Sequence, residues 1–591
     1  MVGKVLQLDE ILVKDDLGCA IANQWMEWDM LRAIWKQERE EIGRYLFATD
    51  TTETSNASLP WKNKTTIPKL CQIRDNLYAN YMKTLFPKRK WMMWEAFDKM
   101  SNAKVKREAI EAYMSHAVDR SGFQTEVGKL VLDWIDYGNC FAMPEWRDGR
   151  IEQKSKDQMG YVGPSIRRIN PMDIVFNPVA TDIRSSPKII RSLVSMGEVK
   201  KELESLTTDD NRESIEELWN YLREYRQTAA NFPGEAEIKD ALYNVDGFTN
   251  FQSYLKSNYC EILTFYGDIY DYQNDEFLEN YVIKVVDRHK IIDKRPNDSV
   301  FGTAQIYHVG WRIRQDNLWA MGPLDNLIGM QYRLDHIENL KADLFDLTAF
   351  PPIHIKGVVE DFEWGPFARI YSDVDGDVKP LWADAQALNA NLELANLAQT
   401  MEEMAGAPKE AMGFRTPGEK TMYEVQRLEN AAGRIFQSKT ELFETEIIEP
   451  ALAGMLELAK RKLPPSEIAV LDPEYKTTFF LELSAADITG NGRIKPVAAR
   501  HFAEKAEKVQ NVTNWFNTPV GQDPQVLVHI SGLAVANMME DLLDLEGYNL
   551  VQENIRLQEQ ADTQRLANAQ TEDIMMEAQT PSGLTPDDVA Q

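Results

Sequence analysis

The segment Gly413-Phe414-Arg415-Thr416-Pro417-Gly418-Glu419-Lys420-Thr421 comes within one position of the glycine-rich loop that cradles nucleotide phosphates. That loop follows a buried strand and places a lysine directly after its second glycine, so that backbone N–H groups and an ammonium meet the phosphates. Here Glu419 takes the lysine's place and a helical pattern precedes the loop, which would set an acid among the phosphate-binding amides. The same residues make a helix start. Thr416 can cap, Pro417 suits the first helical position, and Glu419 completes a capping box. Asp373-Val374-Asp375-Gly376-Asp377 invites calcium, but an EF-hand loop needs a glutamate at its twelfth position between two helices, and position 384 is Asp.

Thiol and metal chemistry find no better pattern. Cys19, Cys71, Cys140 and Cys260 lie far apart without a Cys-x-x-Cys pair, so they read as buried small hydrophobes. His116, His289, His308, His336, His354, His501 and His529 are scattered without ligand spacing, and structural histidines are expected. No Gly-x-Ser-x-Gly elbow, kinase set or Gly-x-Gly-x-x-Gly fingerprint is present. Carboxylates abound, yet no spacing selects a pair for acid–base or two-metal work. The expectation is no catalytic residue, no metal and no cofactor.

The chain has 591 residues, 43% apolar and 27% charged, enough for roughly two to four folded domains. Its 65 Lys and Arg against 93 Asp and Glu leave a net charge of −28, which disfavours gripping nucleic acid over a broad basic face. A charge interrupts every apolar stretch near the start, and no run of about eighteen apolar residues occurs, so neither secretion nor membrane spanning is expected.

One helix is predicted from Leu17 to Phe47, with Trp25, Trp28, Leu31, Trp35 and Ile42 on its apolar face. A polar loop, Asp50 to Lys64, leads to a helix from Ile67 to Leu85, and helices follow at Ala103 to Val118 and Phe123 to Tyr137. Short strands are expected at Cys140 to Trp146, Ser165 to Ile169, Ile174 to Phe176 and Ile189 to Val194. A charged helical stretch opens at Met196, and about 206–257 reads as a peripheral insertion. Tyr259 to Tyr270, Phe277 to Val286 and Gln305 to Ile313 form a strand-rich tract, the first two joined by a hairpin turn. The fold class is α+β, helix-rich.

Beyond Met321-Gly322-Pro323 the pattern lengthens. Leu327, Met330, Leu334, Ile337, Leu340, Leu344 and Leu347 predict a helix of about twenty-eight residues, roughly 40 Å long, with Asp335, Glu338, Asp343 and Asp346 on a solvated face. A small β module at 351–384 has apolar stretches at Ile353 to Val359 and Ala368 to Tyr371; the helix after it, 385–405, carries Leu388, Leu392 and Met401 on one side. Both stripes are too long for the module between them, so Leu327, Leu334, Leu344 and Leu392 are expected to pack between copies of the chain. After a break at 406–416 a long helix runs from Pro417 towards Lys462, kinked at Pro450 by loss of a donor. A strand at Thr477 to Leu483 and helices from Lys495 follow. From Glu540 to Gln591 there are 12 acids against 2 bases.

Helix, small β module, helix, short loop, then a long kinked helix opened by Arg415-Thr416-Pro417-Gly418-Glu419-Lys420-Thr421: this order resembles the portal proteins of tailed bacteriophages and related viruses. Trp61-Lys62-Asn63-Lys64 leading to Ile67-Pro68 and Leu77-Tyr78-Ala79, and Gly322-Pro323-Leu324 through Gln331 to Asn339, are also similar to portal segments. The resemblance covers most of the chain except about 206–257. It implies a wing at 1–322, stem helices at 323–350 and 385–405, a clip at 351–384 and a tunnel loop at 406–416. A long kinked helix and return strand at 417–495 rejoin the wing, and a crown with an acidic tail occupies 496–591.

The resemblance further implies a homo-oligomeric ring, usually dodecameric, at the unique capsid vertex of the virion, assembled in the host cytoplasm beside the major capsid protein and scaffold. The terminase large subunit would dock for genome packaging, and a head-tail adaptor would replace it for DNA retention and ejection. Double-stranded DNA would pass without sequence specificity, and an acidic channel lets a polyanion slide without trapping it. Within that picture Trp364, Phe367 and Trp382 of the clip are candidate partner contacts, their competing role being the module's own core. Lys409 and Arg415 of the tunnel loop are the cations that would touch DNA. An acidic helical scaffold or structural virion protein without a DNA channel is the alternative, and a carboxylate-dependent nuclease a more distant one.

Overall fold

The computed structural model describes residues 10–13, 16–48, 51–86, 91–97, 103–148, 161–225 apart from 178–179, 181, 185 and 208–211, 259–297 apart from 273, 305–357 apart from 316, 359, 370–371, 377–381, 390–406, 435–471 apart from 464–465, 478–496, 509, 512–516 and 531–542. It is a mixed helix and sheet, α+β structure.

β1 (Glu10–Val13) leads into α1 (Leu17–Leu31) and α2 (Ala33–Phe47), two helices where the periodicity predicts one. The break falls at Arg32. Its buried guanidinium donates to Asp29 (2.9 Å) and to the carbonyls of Pro171, Met172 and Ile174 (2.7, 2.6 and 2.8 Å), partners that a straight helix would not have to reach. Leu31, at that corner, is exposed rather than on the apolar face, whereas Trp25, Trp28, Trp35 and Ile42 are buried.

α3 (Lys69–Leu85), α4 (Ala103–Ser121) and α5 (Phe123–Asp136) lie where their spacing predicts, with β2 (Met92–Ala96) an unforeseen strand between the first two. β3 (Asn139–Asp148) pairs antiparallel with β4 (Val162–Ile169). β5 (Ile174–Phe176) and β6 (Lys188–Ser195) precede α6 (Met196–Leu206), which opens on a capping box between Ser195 and Glu198, and α7 (Arg212–Tyr225). β7 (Tyr259–Asp271), β8 (Glu276–Val286) and β9 (Lys290–Pro296) complete a six-stranded sheet of order β5-β6-β7-β8-β9, with β1 parallel to the end of β7. Trp25 and Trp28 of α1 pack on Leu263, Phe265, Ile283 and Val285 of that sheet.

β10 (Tyr307–Gly310) joins β3, and β11 (Arg312–Arg314) pairs with β12 (Asn317–Met321). A second core gathers Trp35, Phe141, Ile174, Phe176, Ile306 and Trp319. His308 is stacked on Phe141 at 4.6 Å and bonded to Asn139 Oδ1 at 3.0 Å; burial pushes its pKa down to about 4, a neutral structural histidine.

A 3₁₀ turn at Asp325–Leu327 starts the next helix, α8 (Ile328–Ala349), 22 residues in place of about twenty-eight. β13 (Ile353–Lys356) takes β14 (Asp377–Pro380) as its antiparallel partner, although Ala368 to Tyr371 has the more strand-like sequence. α9 (Asn391–Met404) follows. Residues 435–443 are helical and pass through a π turn at Glu444–Ile448 into α10 (Glu449–Lys462). Pro450, where the sequence predicts a kink, directly follows this π turn: in a regular helix the proline ring would strike the carbonyl of Glu446, and a wider turn makes room.

β15 (Ser466–Leu471) pairs with β16 (Thr478–Leu483), and β17 (Gly492–Pro496) with β2. The chain divides into two compact units, Met1–Ile468 with Leu481–Ala498, and Ala469–Phe480 with Ala499–Gln591. Described helix in the second comprises α11 (Gly532–Leu542) and residues 512–516, where Trp515 meets Phe516 edge-on at 5.0 Å. Among the described residues no helix is long and apolar enough to cross a membrane.

Candidate functional site

Two glycines fix where α8 begins. Gly138 (φ +70°) lies so close to Gly322 that a Cβ on it would sit 2.4 Å from the Gly322 nitrogen, so the α5–β3 corner and the α8 approach touch backbone to backbone. Asp325 then accepts from the Gly322 N–H (2.9 Å) through Oδ2, and its Oδ1 pairs at 2.5 Å with the buried guanidinium of Arg39 on α2.

From this anchor α8 presents Gln331, Asp335, Asn339 and Asp343 at steps of four, on one face. That face receives the segment 62–67. Gln331 Nε2 donates to the Ile67 carbonyl (2.7 Å) and to Asp335 Oδ1 (2.9 Å), which also accepts from the Ile67 N–H (2.9 Å). Asn339 accepts from the Thr65 N–H and donates to the Thr65 carbonyl, both at 2.7 Å. Asp343 accepts from the N–H groups of Lys62 and Asn63 at 2.9 Å each, and the Asn63 amide donates to Asp343 (2.8 Å) and Asp346 (3.1 Å). The registers match. One four-residue step of helix rises about 6 Å, and two residues of extended chain advance about 6.6 Å, so residues 63, 65 and 67 meet successive polar side chains as the segment runs antiparallel to the helix. The Trp61 ring, just before the segment, lies 5.1 Å from the His336 ring of α8.

Asp335 was expected on a solvated face and is fully buried instead, because the segment 62–67 covers it. Desolvation raises its pKa to about 6 despite the Ile67 and Gln331 hydrogen bonds, and its Oδ2 is buried without a hydrogen-bond partner. α9 is tied to the same body by a buried ion pair between Lys69 of α3 and Glu402.

Away from this clasp, apolar side chains stay exposed: Leu340, Phe345 and Leu347 on α8, Phe350 at its C-terminal cap, Ile355 on β13, and Leu392 on α9. Phe350 is 71% exposed and Leu392 73%. The side chains expected between copies therefore separate. Leu327 and Leu334 are 0% and 2% exposed within the chain itself and are corrected to its own core, since the first half of α8 packs on α3 and the turn at Ser55–Ser58. Leu344 is half-buried and Leu392 fully presented. Phe345 and Phe350 were not singled out by the stripe, because they flank it.

Trp364, Phe367, Trp382, Lys409 and Arg415 lie outside the described residues, as does the helix start at Thr416. Cys140 and Cys260 are buried as expected, whereas Cys19 and Cys71 are half-buried, Cys19 by its place in the first turn of α1. Among the described residues no group of three or more His, Cys, Asp or Glu is placed to hold a metal ion. Compared with protein-family models and with curated proteins, the chain matches none at a significant level.

Proposed function

We propose that the chain is the portal subunit of a tailed bacteriophage, a ring at the capsid vertex through which double-stranded DNA is packaged and later ejected. In this reading α8 and α9 are the stem, the β13–β14 module belongs to the clip that receives the terminase large subunit and then the head-tail adaptor, and the body before α8 is the wing set among major capsid protein and scaffold. The observation that carries the reading is the helix pair itself: two helices bracket a small sheet, are fastened into the body by buried polar contacts, and leave Leu340, Phe345, Leu347, Phe350 and Leu392 exposed beyond that fastening. Scattered apolar side chains are ordinary on a surface, but a run of them along one helix pair favours a partner. A ring of identical subunits supplies one on each side, by head-to-tail contacts that close.

The chain's −28 charge supports a conduit rather than a grip, since a wall of acids neither condenses onto phosphates nor reads bases. No catalytic role is assigned; pumping belongs to the terminase. Negative-stain electron microscopy of the purified full chain tests the proposal. Rings with an axial channel support it, whereas monomers or dimers favour an acidic structural virion protein without a channel.

A further inference from the structure

On the six-stranded sheet, Cys19 Sγ lies 3.4 Å from His289 Nδ1. Both groups can be reached from solvent, Cys19 being half-buried and His289 exposed. Three features hold them together. Cys19 sits in the first turn of α1, where Asp16 Oδ2 accepts from its N–H at 3.4 Å. A Cβ on the neighbouring Gly18 would stand 2.6 Å from the His289 carbonyl oxygen, so a glycine is what allows α1 to begin this close to the β8–β9 turn. In that turn Asp287 (φ 47°) and Arg288 (φ 61°) both occupy the left-handed region just before His289, a conformation that persists only when the surroundings over-determine it. Glu261 of β7 does so: its carbonyl accepts from the Asp287 N–H (2.9 Å), and its carboxylate accepts from both arms of the Arg288 fork (2.8 and 3.2 Å). Lys290, the residue after His289, lines a cavity of about 650 Å³ whose wall also carries Glu217, Leu218, Tyr221, Asp293 and Lys294, and the Tyr221 ring lies 6.4 Å from the His289 ring.

We propose that Cys19 and His289 form a thiol–disulfide exchange site for a small-molecule disulfide. His289 Nδ1 takes the proton from Cys19 Sγ, and the thiolate attacks one sulfur of the disulfide. A Cys19–S–S–R bond forms, the original S–S bond breaks, and the departing thiolate takes the proton back from the imidazolium. One protein thiol and one disulfide thus give one mixed disulfide and one small thiol, with no other oxidant. The Asp16 carboxylate at the helix start opposes a bare thiolate, so the imidazolium has to be its counter-ion. The cavity wall sets Lys290 and Lys294 against Glu217 and Asp293 and so selects no charge, and glutathione disulfide serves as a general small-molecule disulfide probe. Cys71 serves as an internal control, since its thiol faces Asp75 at 3.8 Å, an acceptor of the wrong charge to stabilise a thiolate.

The test incubates the full-length protein with glutathione disulfide near neutral pH and follows each thiol by intact mass and peptide mapping. Cys19 is expected to react about tenfold faster than Cys71, and His289→Gln to slow Cys19 about tenfold while leaving Cys71 unchanged. Equal native rates for the two thiols, or a Cys19 rate that ignores His289→Gln while Cys71 reports an intact fold, would overturn the assignment. If His289→Gln does not fold, the unsubstituted protein decides: the Cys19-to-Cys71 rate ratio must be larger in the native state than in concentrated urea, and an equal ratio overturns it.

Discussion

At Asp335 two demands meet on one carboxylate. Its Oδ1 is needed as the acceptor that fixes Ile67, while burial penalises the charge it carries at neutral pH and raises its pKa to about 6. The folded chain therefore keeps a proton that the unfolded chain releases near the ordinary 3.8. The linked stability is complete below about pH 4 and lost as pH rises through about 6, up to about 3 kcal/mol in all. Asp335→Asn retains an acceptor for the Ile67 N–H and removes the titration. Urea midpoints of the two proteins should diverge in the variant's favour between pH 4 and 6 and run parallel above; a difference that stays constant across that range would show that Asp335 does not titrate there. Leu334 makes the companion case. Placed in the chain's own core, Leu334→Asp buries a charge without a partner and should cost several kcal/mol, abolishing the cooperative melt seen by circular dichroism before assembly is even at issue. A variant that melts like the wild type would return Leu334 to the surface.

The clasp between α8 and the segment 62–67 is a property of elements in register. Asn339 contributes two hydrogen bonds to Thr65, and Asn339→Ala should cost about 3 kcal/mol by leaving both Thr65 backbone groups short of a partner; an unfolding free energy within about 0.5 kcal/mol of wild type would mean the register is held elsewhere. Much of this fold is legible in the sequence. Helices α3, α4, α5 and α8, and the long strands β7 and β8, follow from apolar period and from flanking turn residues, which are local signals. β9 is not, because Lys290, Lys294, Arg295 and Pro296 belong to an edge strand that needs charge to stay unpaired. The break at Arg32 is equally silent, since its carbonyl partners lie about 140 positions along the chain. The clasp was half visible. Gln331, Asp335, Asn339 and Asp343 stand at a strict step of four, but polar residues at helical spacing ordinarily face water and nothing local says what covers them.

For the whole molecule, the exposed apolar edge of the helix pair and the chain's net charge of −28 carry the ring reading. On the proposed portal reading Lys409 and Arg415, the two cations of the sequence 406–416, are expected to touch DNA weakly and without base readout, each contact adding about one unit to the salt slope. Replacing both with Glu should leave rings intact and change packaged DNA length or retention; normal values for both would exclude these side chains. The central claim is that α8 and α9 join subunits through Phe345, Phe350 and Leu392. Native mass measurement of the wild type beside the Phe345→Asp, Leu392→Asp double variant tests it most directly. A single closed species of about twelve chains is expected for the wild type, and for the variant a monomer that melts at the wild-type monomer's temperature, because both replaced side chains are exposed within one chain and their replacement costs the fold nothing. A double variant that still closes into the same species would contradict it.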